Sequence, residues 1–285
     1  MKSFFIITNK QKDKDLQVTH GIESYLEKHK CQYKTQITND CGGGDYYTNV
    51  EDIPDDVECI LVLGGDGTLL QAANDTIERN IPLIGVNLGT LGYLAEVEQP
   101  NIESALEALI TDEAEVANRM MLDGCIIRDG KQIEQLQALN DIIISRFGSL
   151  RILNFNIYVN DSFLKGYHAD GIIIATPTGS TGYNMSAGGP IVEPKAKLMV
   201  LTPVCPHTFN TRSIILAPED VITVEIAPGR EGRKQDIEVS FDGSHKVTLV
   251  TGDRIRITQA SKKTKILKLN KVSFLEVLHK KMSES

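Results

Sequence analysis

One short apolar run, ending directly in a glycine-rich turn, constrains this chain more than any other feature of its sequence. Residues 57–63 are almost continuously apolar, and the turn Gly64-Gly65-Asp66-Gly67-Thr68 follows them; we call residues 64–68 the glycine turn. Such a run is typical of a strand that is buried on both faces of a parallel sheet. Because residues 68–80 favour a helix, the sequence predicts a strand, a turn and a helix of an α/β domain.

The same alternation of strands and helices extends over about the first 120 residues. Apolar runs predict strands at 3–8 and 82–87, and helical spacing of apolar residues predicts helices at 15–30 and 101–111. The polar stretch 39–56, which contains Gly42-Gly43-Gly44, predicts a mobile loop. We therefore predict a doubly wound, Rossmann-like α/β domain over residues 1–120.

The pattern changes near residue 120 to short apolar runs separated by turn residues. This spacing predicts an all-β domain over residues 121–268, most simply a sandwich. The predicted strands are 124–128, 139–145, 155–159, 171–175, 213–216, 221–226, 237–241 and 254–258. A short helix is expected at 274–281, and we expect the segment 269–285 to pack back on the first domain.

Composition excludes several classes of protein. The chain has 285 residues and a net charge of −8, which argues against duplex nucleic acid as a partner. No run of apolar residues is long enough for a membrane-spanning helix. The cysteine count is five, with no CxxC spacing, so neither a disulfide framework nor a zinc site is indicated. Free thiols in a reducing cytoplasm are the simplest interpretation.

The glycine turn has the composition of a phosphate-binding site. Glycines let a ligand approach the backbone, and the free N–H groups at a helix start attract anions. The carboxylate of Asp66 would repel a phosphate, so it either holds a bridging divalent cation or takes a proton from an attacking hydroxyl. A simple N-cap is the structural alternative. No Lys follows the glycines, which disfavours a P-loop.

Two further motifs lie in the second half of the chain. Residues 176–190, the hydroxyl-rich segment, combine many hydroxyls and glycines with Tyr183, which could pack against a base or a ribose. Asn140 and Asp141 precede an apolar run; an amide can read a purine edge and a carboxylate can accept from ribose hydroxyls. An ordinary polar loop and a polar turn are the alternatives.

Taken together, these motifs resemble those of the NAD kinase family. The resemblance includes the glycine turn, the run Asn87-Leu88-Gly89-Thr90-Leu91-Gly92-Tyr93, the pair Asn140-Asp141, the pair Asp170-Gly171 and the hydroxyl-rich segment. It covers nearly the whole chain. It implies transfer of the γ-phosphoryl group of ATP to the 2′-hydroxyl of the adenosine ribose of NAD, giving NADP, with Asp66 as the general base.

The resemblance also implies a set of site residues. The phosphate-binding residues would be Gly64, Gly65, Gly67 and Thr68. Asn140 and Asp141 would hold adenosine, with Asp141 on the ribose. The remaining residues of the NAD pocket would be Asp66, Gly67, Tyr93, Arg151, His168, Asp170, Thr181, Gly182, Tyr183, Asn184, Met185, Ser186 and Asp242. Four positions depart from the family pattern: His168 replaces a frequent Arg, Gly182 a usual Ala and Ser244 a frequent Gln, and Asp141 stands where Glu is also common.

The resemblance further implies Mg²⁺ carried by ATP, since the sequence shows no dedicated cage of carboxylates. It also suggests a homodimer or homotetramer, with the β domain as an interface. Two alternatives stay open: a diacylglycerol-type lipid kinase of the same superfamily, and a dinucleotide-binding regulator without turnover. A dehydrogenase is disfavoured because no GxGxxG follows the first strand. The sequence leaves ATP or polyphosphate as donor, and the use of NADH, undecided.

Overall fold

The computed structural model describes residues 1–38, 48–89, 92–148, 152–208, 212–229, 235, 237–269 and 273–283. The chain divides into two compact units, which we call unit 1 (Met1–Arg119 with Lys263–Ser285) and unit 2 (Met120–Lys262). The loop predicted around residues 42–44 lies outside the described residues. Within the described residues, no helix is long and apolar enough to cross a membrane.

Unit 1 is built on a parallel sheet. Its strands lie in the order β2-β1-β3-β4-β5 and run parallel to one another. Ile266, in a strand near the end of the chain, also pairs in parallel with Leu83 of β4. The elements are β1 (Ser3–Asn9), α1 (Gln17–Lys28), β2 (Gln32–Thr38), β3 (Cys59–Gly64), α2 (Asp66–Asp75), β4 (Leu83–Asn87), β5 (Val97–Glu98), α3 (Ile102–Ile110) and α5 (Phe274–Ser283).

The apolar runs of β1, β3 and β4 are buried along their whole length, as a sheet covered on both faces requires. One face packs against α1 and α3, whose apolar residues share a core cluster with Phe4, Leu61 and Val86. Helix α2 follows β3 and buries Leu69. The predicted strands and helices of this region are therefore confirmed, with the polar strand β2 and the two-residue strand β5 as additions.

Unit 2 consists of antiparallel strands. One sheet has the order β13-β12-β11-β8-β15-β16, and a second contains β10-β9-β14-β17, with β6 pairing to both β17 and β7. Its elements are β6 (Glu115–Arg128), β7 (Lys131–Ala138), β8 (Asp141–Arg146), β9 (Leu153–Val159), β10 (Ser162–Ala169), β11 (Gly171–Ala175), α4 (Tyr183–Ser186), β12 (Met199–Val204), β13 (Ile214–Leu216), β14 (Ile222–Ile226), β15 (Ile237–Phe241), β16 (His245–Leu249) and β17 (Arg254–Lys268).

Alternating side chains of both sheets form one core in unit 2. Ile142, Ile174 and Phe241 come from the first sheet, and Phe155 and Val224 from the second. Alternation of buried and exposed positions along β9 and β14 is what a sheet with one buried face requires. The predicted fold class, an α/β domain with a β-sandwich-like domain, is confirmed. The boundaries of the units fall within β6 and β17.

Candidate functional site

The carboxyl edge of the parallel sheet in unit 1 carries the glycine turn. The chain leaves β1 for β2 on one side and then returns across β1 to form β3 on the other side. The strand order therefore reverses between β1 and β3. In open α/β sheets, ligands bind at the carboxyl ends of the strands beside such a reversal. The glycine turn begins at Gly64, the last residue of β3, so it lies at this point.

The carboxylate of Asp66 is held by three successive backbone N–H groups. Its Oδ2 accepts from Tyr93 (2.7 Å), and its Oδ1 accepts from Leu94 (3.2 Å) and Ala95 (3.3 Å). We call this arrangement the Asp66 clasp. A carboxylate oxygen has about two acceptor positions, so one position remains, on Oδ2. The N-cap alternative is wrong, because Gly65 occupies the N-cap position of α2.

Glycines make this arrangement sterically possible. A Cβ at Gly92 would lie 1.8 Å from Oδ1 of Asp66, and a Cβ at Gly64 would lie 2.4 Å from Oγ1 of Thr68. Only glycine allows such close approach. By contrast, no atom lies within 4 Å of a Cβ at Gly65 or Gly67. The backbone at these two positions is therefore open to a ligand.

Two neighbours of the glycine turn were not singled out by the sequence. Asn9, at the end of β1, donates its side-chain amide to Oγ1 of Thr68 (3.3 Å), which joins the β1–α1 loop to the start of α2. Lys281 of α5 places its ammonium 4.2 Å from the ring centroid of Tyr93, a cation–π contact. This cation–π contact lies within unit 1 and places α5 beside the Asp66 clasp, to which Tyr93 contributes an N–H group.

A similar arrangement occurs in unit 2 around Asp242. Its Oδ2 accepts from the N–H of Leu139 (2.7 Å), and its Oδ1 accepts from those of Asn140 (2.7 Å) and Asp141 (3.0 Å). We call this the Asp242 clasp. Asp242 has a φ of 49°, in the left-handed region that Asp tolerates better than most residues. The clasp fixes the turn that presents Asn140 and Asp141.

Asn140 and Asp141 each have a polar group that is unpaired among the described residues. Oδ1 of Asn140 is buried and accepts no hydrogen bond from them. The carboxylate of Asp141 forms no hydrogen bond with the described residues, although this residue is only 4% exposed. Burial, and next the charge of Asp242, raise the pKa of Asp141 to about 7. Buried polar groups are nearly always paired, so these two indicate a polar ligand.

The hydroxyl-rich segment packs directly against this turn. Thr176 follows β11 and donates two hydrogen bonds to the turn. Its N–H donates to the carbonyl of Asn140 (2.8 Å), and its hydroxyl donates to the carbonyl of Leu139 (2.6 Å). A Cβ at Gly179 would lie 2.1 Å from the carbonyl oxygen of Asn140. At Gly182, a Cβ would lie 3.6 Å from Nδ2 of Asn140 and 3.8 Å from Oδ2 of Asp141.

Other predicted residues of the segment differ in exposure. Tyr183, Met185 and Ser186 are exposed and available to a ligand. Thr181 is partly buried and donates its hydroxyl to the carbonyl of Thr178 (3.4 Å). Asn184 is fully buried. Its amide nitrogen donates to the carbonyls of Ser180 and Pro190, and its amide oxygen accepts from Thr202, so this side chain braces the segment from inside.

The remaining predicted residues lie at the end of β10 and beyond. His168 is exposed, and its Nδ1 is 2.6 Å from Oδ1 of Asn154. Asp170 accepts a hydrogen bond from Arg146 (2.9 Å) within an ion pair. Arg151 lies outside the described residues. Among the residues that the structure describes, no three His, Cys, Asp or Glu side chains are grouped so that they could hold a metal ion.

Comparison with known proteins identifies the family of this chain. The model of the ATP-NAD kinase N-terminal domain matches residues 4–114, and that of the ATP-NAD kinase C-terminal domain matches residues 139–269. The chain belongs to the ATP-NAD kinase family. This membership decides between the activities that the sequence left open, in favour of a kinase rather than a regulator without turnover.

Relatives in this family match over essentially the full length. The NAD kinase of Agathobacter rectalis is 48% identical over 282 residues, with 99% of each chain covered. That of Lachnospira eligens is 44% identical over 295 residues, with 99% of this chain and all of that protein covered. The family resemblance predicted from the motifs is therefore confirmed.

Two solved structures of NAD(H) kinases share the fold at 22% sequence identity. Yeast NADH kinase in complex with NADH superposes with a TM-score of 0.83, covering 99% of this chain and 88% of the yeast protein. An NAD kinase from Archaeoglobus fulgidus in complex with ATP gives a TM-score of 0.77, with both chains fully covered. These similarities establish that the ATP-NAD kinase fold extends over the whole chain.

Proposed function

We propose that this chain transfers the γ-phosphoryl group of ATP to the 2′-hydroxyl of the adenosine ribose of NAD, with Asp66 as the general base. The observation that carries the assignment of Asp66 is its clasp. Three N–H groups fix the carboxylate and leave one acceptor position on Oδ2. A general base must point a free lone pair at the proton it removes, and this oxygen alone can do so.

In the proposed reaction, the 2′-oxygen attacks the γ-phosphorus while its proton passes to Oδ2 of Asp66. The bond between the γ-phosphorus and the oxygen that bridges it to the β-phosphate breaks, and ADP leaves with that oxygen. Little covalent chemistry is required of the protein, so positioning and charge stabilisation provide most of the acceleration. The open backbone at Gly65 and Gly67, with Gly64 and Thr68, supports phosphate binding beside Asp66.

The divalent cation in this proposal is Mg²⁺, brought as the MgATP substrate. Asp66 has only one free acceptor position, and the described residues offer no group of three candidate ligands around a common point. Phosphate oxygens of ATP, rather than protein side chains, would therefore provide most of the ligands of the Mg²⁺ ion, as is usual at nucleotide sites. Of the two roles that the sequence left open for Asp66, this arrangement favours proton transfer.

For NAD, we propose that Asn140 and Asp141 hold the adenosine. The unpaired Oδ1 of Asn140 can accept from the exocyclic amine of adenine, and the carboxylate of Asp141 can accept from ribose hydroxyls. Tyr183, Met185 and Ser186 are exposed in the hydroxyl-rich segment and would complete the pocket, together with Thr181 and with Gly182, which approaches Asn140 and Asp141.

The other predicted residues receive supporting roles in this proposal. Asp242, Asn184 and Asp170 use their side chains in bonds within the protein, so they would shape the NAD pocket without carrying its contacts. Tyr93 would orient Asp66 through its N–H, and its ring contacts Lys281. His168 and Arg151 remain proposed as sources of charge or donors near the nucleotide.

The test is a coupled assay of the purified protein with NAD, ATP and Mg²⁺. NADP would be measured with a strictly NADP-dependent dehydrogenase, and the Asp66→Asn protein would be assayed beside the wild type. NADP from the wild type alone supports both the reaction and the base. Equal kcat for the two proteins contradicts the role of Asp66. If neither makes NADP, ATP is replaced by polyphosphate and NAD by NADH.

We also propose that the protein acts in the cytoplasm as a homodimer or homotetramer. The described cysteines, Cys31, Cys59, Cys125 and Cys205, are all free, which suits a reducing compartment. Unit 2 exposes large apolar side chains, among them Phe163 at 60% and Ile215 at 57%, which suits an interface. Sedimentation equilibrium tests the assembly, and a monomer at micromolar concentration contradicts it.

A further inference from the structure

The loop between β1 and α1 brings a lysine to the glycine turn. Residues 10–16 form this loop and contain Lys10, Lys12 and Lys14. The loop begins at the end of β1, so it lies at the same carboxyl edge of the parallel sheet as the glycine turn at the end of β3. Both connections that flank the reversal are therefore available to a ligand bound there.

The position of Lys12 within this loop is fixed by hydrogen bonds. The N–H groups of Lys12 and Asp13 donate to the carbonyl of Asn9 (3.0 Å each). The buried carboxylate of Asp13 accepts from the N–H (2.9 Å) and the hydroxyl (2.7 Å) of Thr19 in α1. Asn9 in turn donates to Thr68. The loop is thus tied both to α1 and to the start of α2.

The ammonium of Lys12 extends across the end of β3. A Cβ at Gly89, just after β4, would lie 4.0 Å from Nζ of Lys12. Strand β3 lies between β1 and β4 in the sheet. A side chain that begins after β1 and ends beside Gly89 therefore crosses the carboxyl end of β3, where the glycine turn starts.

The charge of Lys12 is not used within the described protein. Its ammonium forms no ion pair or hydrogen bond with the described residues, although the chain as a whole carries an excess of acidic groups. Asp66, beside it on the same sheet edge, would repel a polyphosphate. A cation at this place would offset that repulsion and the charge of the transferring group.

We propose that Lys12 binds the β- and γ-phosphates of the phosphoryl donor. This proposal rests on the proposed function and adds to it the residue that supplies positive charge. In P-loop proteins a lysine that follows the glycines performs this task. Here no Lys follows the glycines, and the preceding βα loop delivers the cation instead.

The test compares Lys12→Met with Lys14→Met and Lys12→Arg. Lys14 is an exposed lysine in the same loop, without a partner among the described residues, so it controls for net charge. Loss of a charged hydrogen bond predicts that Lys12→Met raises the KM for ATP at least about tenfold. The KM for NAD should stay within about twofold. Lys12→Arg should recover much of the loss, and Lys14→Met should resemble the wild type.

Binding measured without turnover separates this proposal from the proposed reaction. Isothermal titration with tripolyphosphate, and separately with NAD, should show weaker tripolyphosphate binding for Lys12→Met and unchanged NAD binding. This readout stands even if the wild type makes no NADP. An unchanged KM for ATP and unchanged tripolyphosphate affinity in Lys12→Met, or equal losses in Lys14→Met, would overturn the assignment. A folded wild-type protein with no tripolyphosphate binding would overturn it as well.

Discussion

The two units hold a carboxylate in almost the same way and use it differently. Asp66 and Asp242 each accept from three successive backbone N–H groups, one on Oδ2 and two on Oδ1. In unit 1 the held carboxylate is itself the group with a free acceptor position. In unit 2 the N–H donors include those of Asn140 and Asp141, and neither Oδ1 of Asn140 nor the carboxylate of Asp141 has a hydrogen-bond partner among the described residues. In the proposed function, the same clasp would therefore position the general base in unit 1 and support the adenosine-binding groups in unit 2.

The strongest test of this difference makes the same change in both clasps. Asp66→Asn and Asp242→Asn each replace one oxygen that accepts N–H bonds by an amide group that donates. If Asp66 is the general base, its variant should lose kcat by about 10²-fold or more, with NAD affinity within a few-fold. Asp242→Asn should mainly raise the KM for NAD and lower the melting temperature. Steady-state kinetics and thermal unfolding measure both.

This pair also controls for damage to the backbone. If breaking a clasp were the whole effect, the two variants would lose kcat to a similar extent. Equal losses of kcat, with equal losses of melting temperature, would remove the distinction between the clasps.

The second prediction moves Asp66 without replacing it. Gly92→Ala would place a Cβ 1.8 Å from Oδ1, so the carboxylate must shift. A displacement of about 1 Å in a reacting group can reduce the rate by about 10²-fold. Gly21→Ala is the control, because a Cβ at this position in α1 has no atom within 4 Å. The Gly21→Ala protein should keep full activity. A Gly92→Ala protein with wild-type activity would show that catalysis does not need the geometry of the Asp66 clasp.

These predictions depend on contacts that the sequence could not provide. The apolar run before the glycine turn and the alternating runs of unit 2 predicted most strands, because burial dictates their pattern. Strands β2 and β7 were missed, since their residues are largely polar and partly exposed. Strands β5, β10, β12 and β16 were also missed, and of these β12 is almost fully buried. A strand with one buried face shows a regular alternation of apolar residues in the sequence, whereas an exposed strand does not.

Polar residues were harder to assign than apolar ones. The density of hydroxyls and glycines in the hydroxyl-rich segment predicts a lining for a polar ligand, yet it could not distinguish a side chain that is free to contact a ligand from one that satisfies its neighbours. Asn184 belongs to the second kind. Outside the segment, Oδ1 of Asn140 has no partner among the described residues. The approach of Gly92 to Asp66, and of Lys12 to Gly89, joins residues that are far apart in sequence, and no local pattern records it.

The third prediction uses the buried carboxylate of Asp141, which accepts no hydrogen bond from the described residues. The pKa of Asp141 is raised by burial and by Asp242 to about 7, whereas an Asp in an unfolded chain has a pKa of about 3.9. The folded state therefore binds more protons between these values, and stability should fall as pH rises from about 4 to about 7. Asp141→Asn should remove this loss, so its melting temperature should exceed that of the wild type increasingly toward pH 8.

Substrate binding should change in the opposite direction with pH. The ionised carboxylate is the better acceptor for ribose hydroxyls, so the wild-type KM for NAD should fall as pH rises through about 7. In Asp141→Asn this KM should be higher and nearly independent of pH. A pH dependence of this KM that persists unchanged in Asp141→Asn would contradict the assignment to Asp141.

The smallest expected effect comes from the glycine that faces Asp141. A Cβ at Gly182 would lie 3.8 Å from Oδ2 of Asp141, an ordinary contact, and 3.3 Å from the carbonyl of Gly179, which must yield slightly. Gly182→Ala should therefore change the KM for NAD by no more than about threefold, since small packing adjustments are tolerated. The same substitution at Gly92 should be far more damaging, because its Cβ would lie 1.8 Å from Oδ1 of Asp66. Comparable losses in Gly92→Ala and Gly182→Ala would mean that the carboxylates of Asp66 and Asp141 are equally confined.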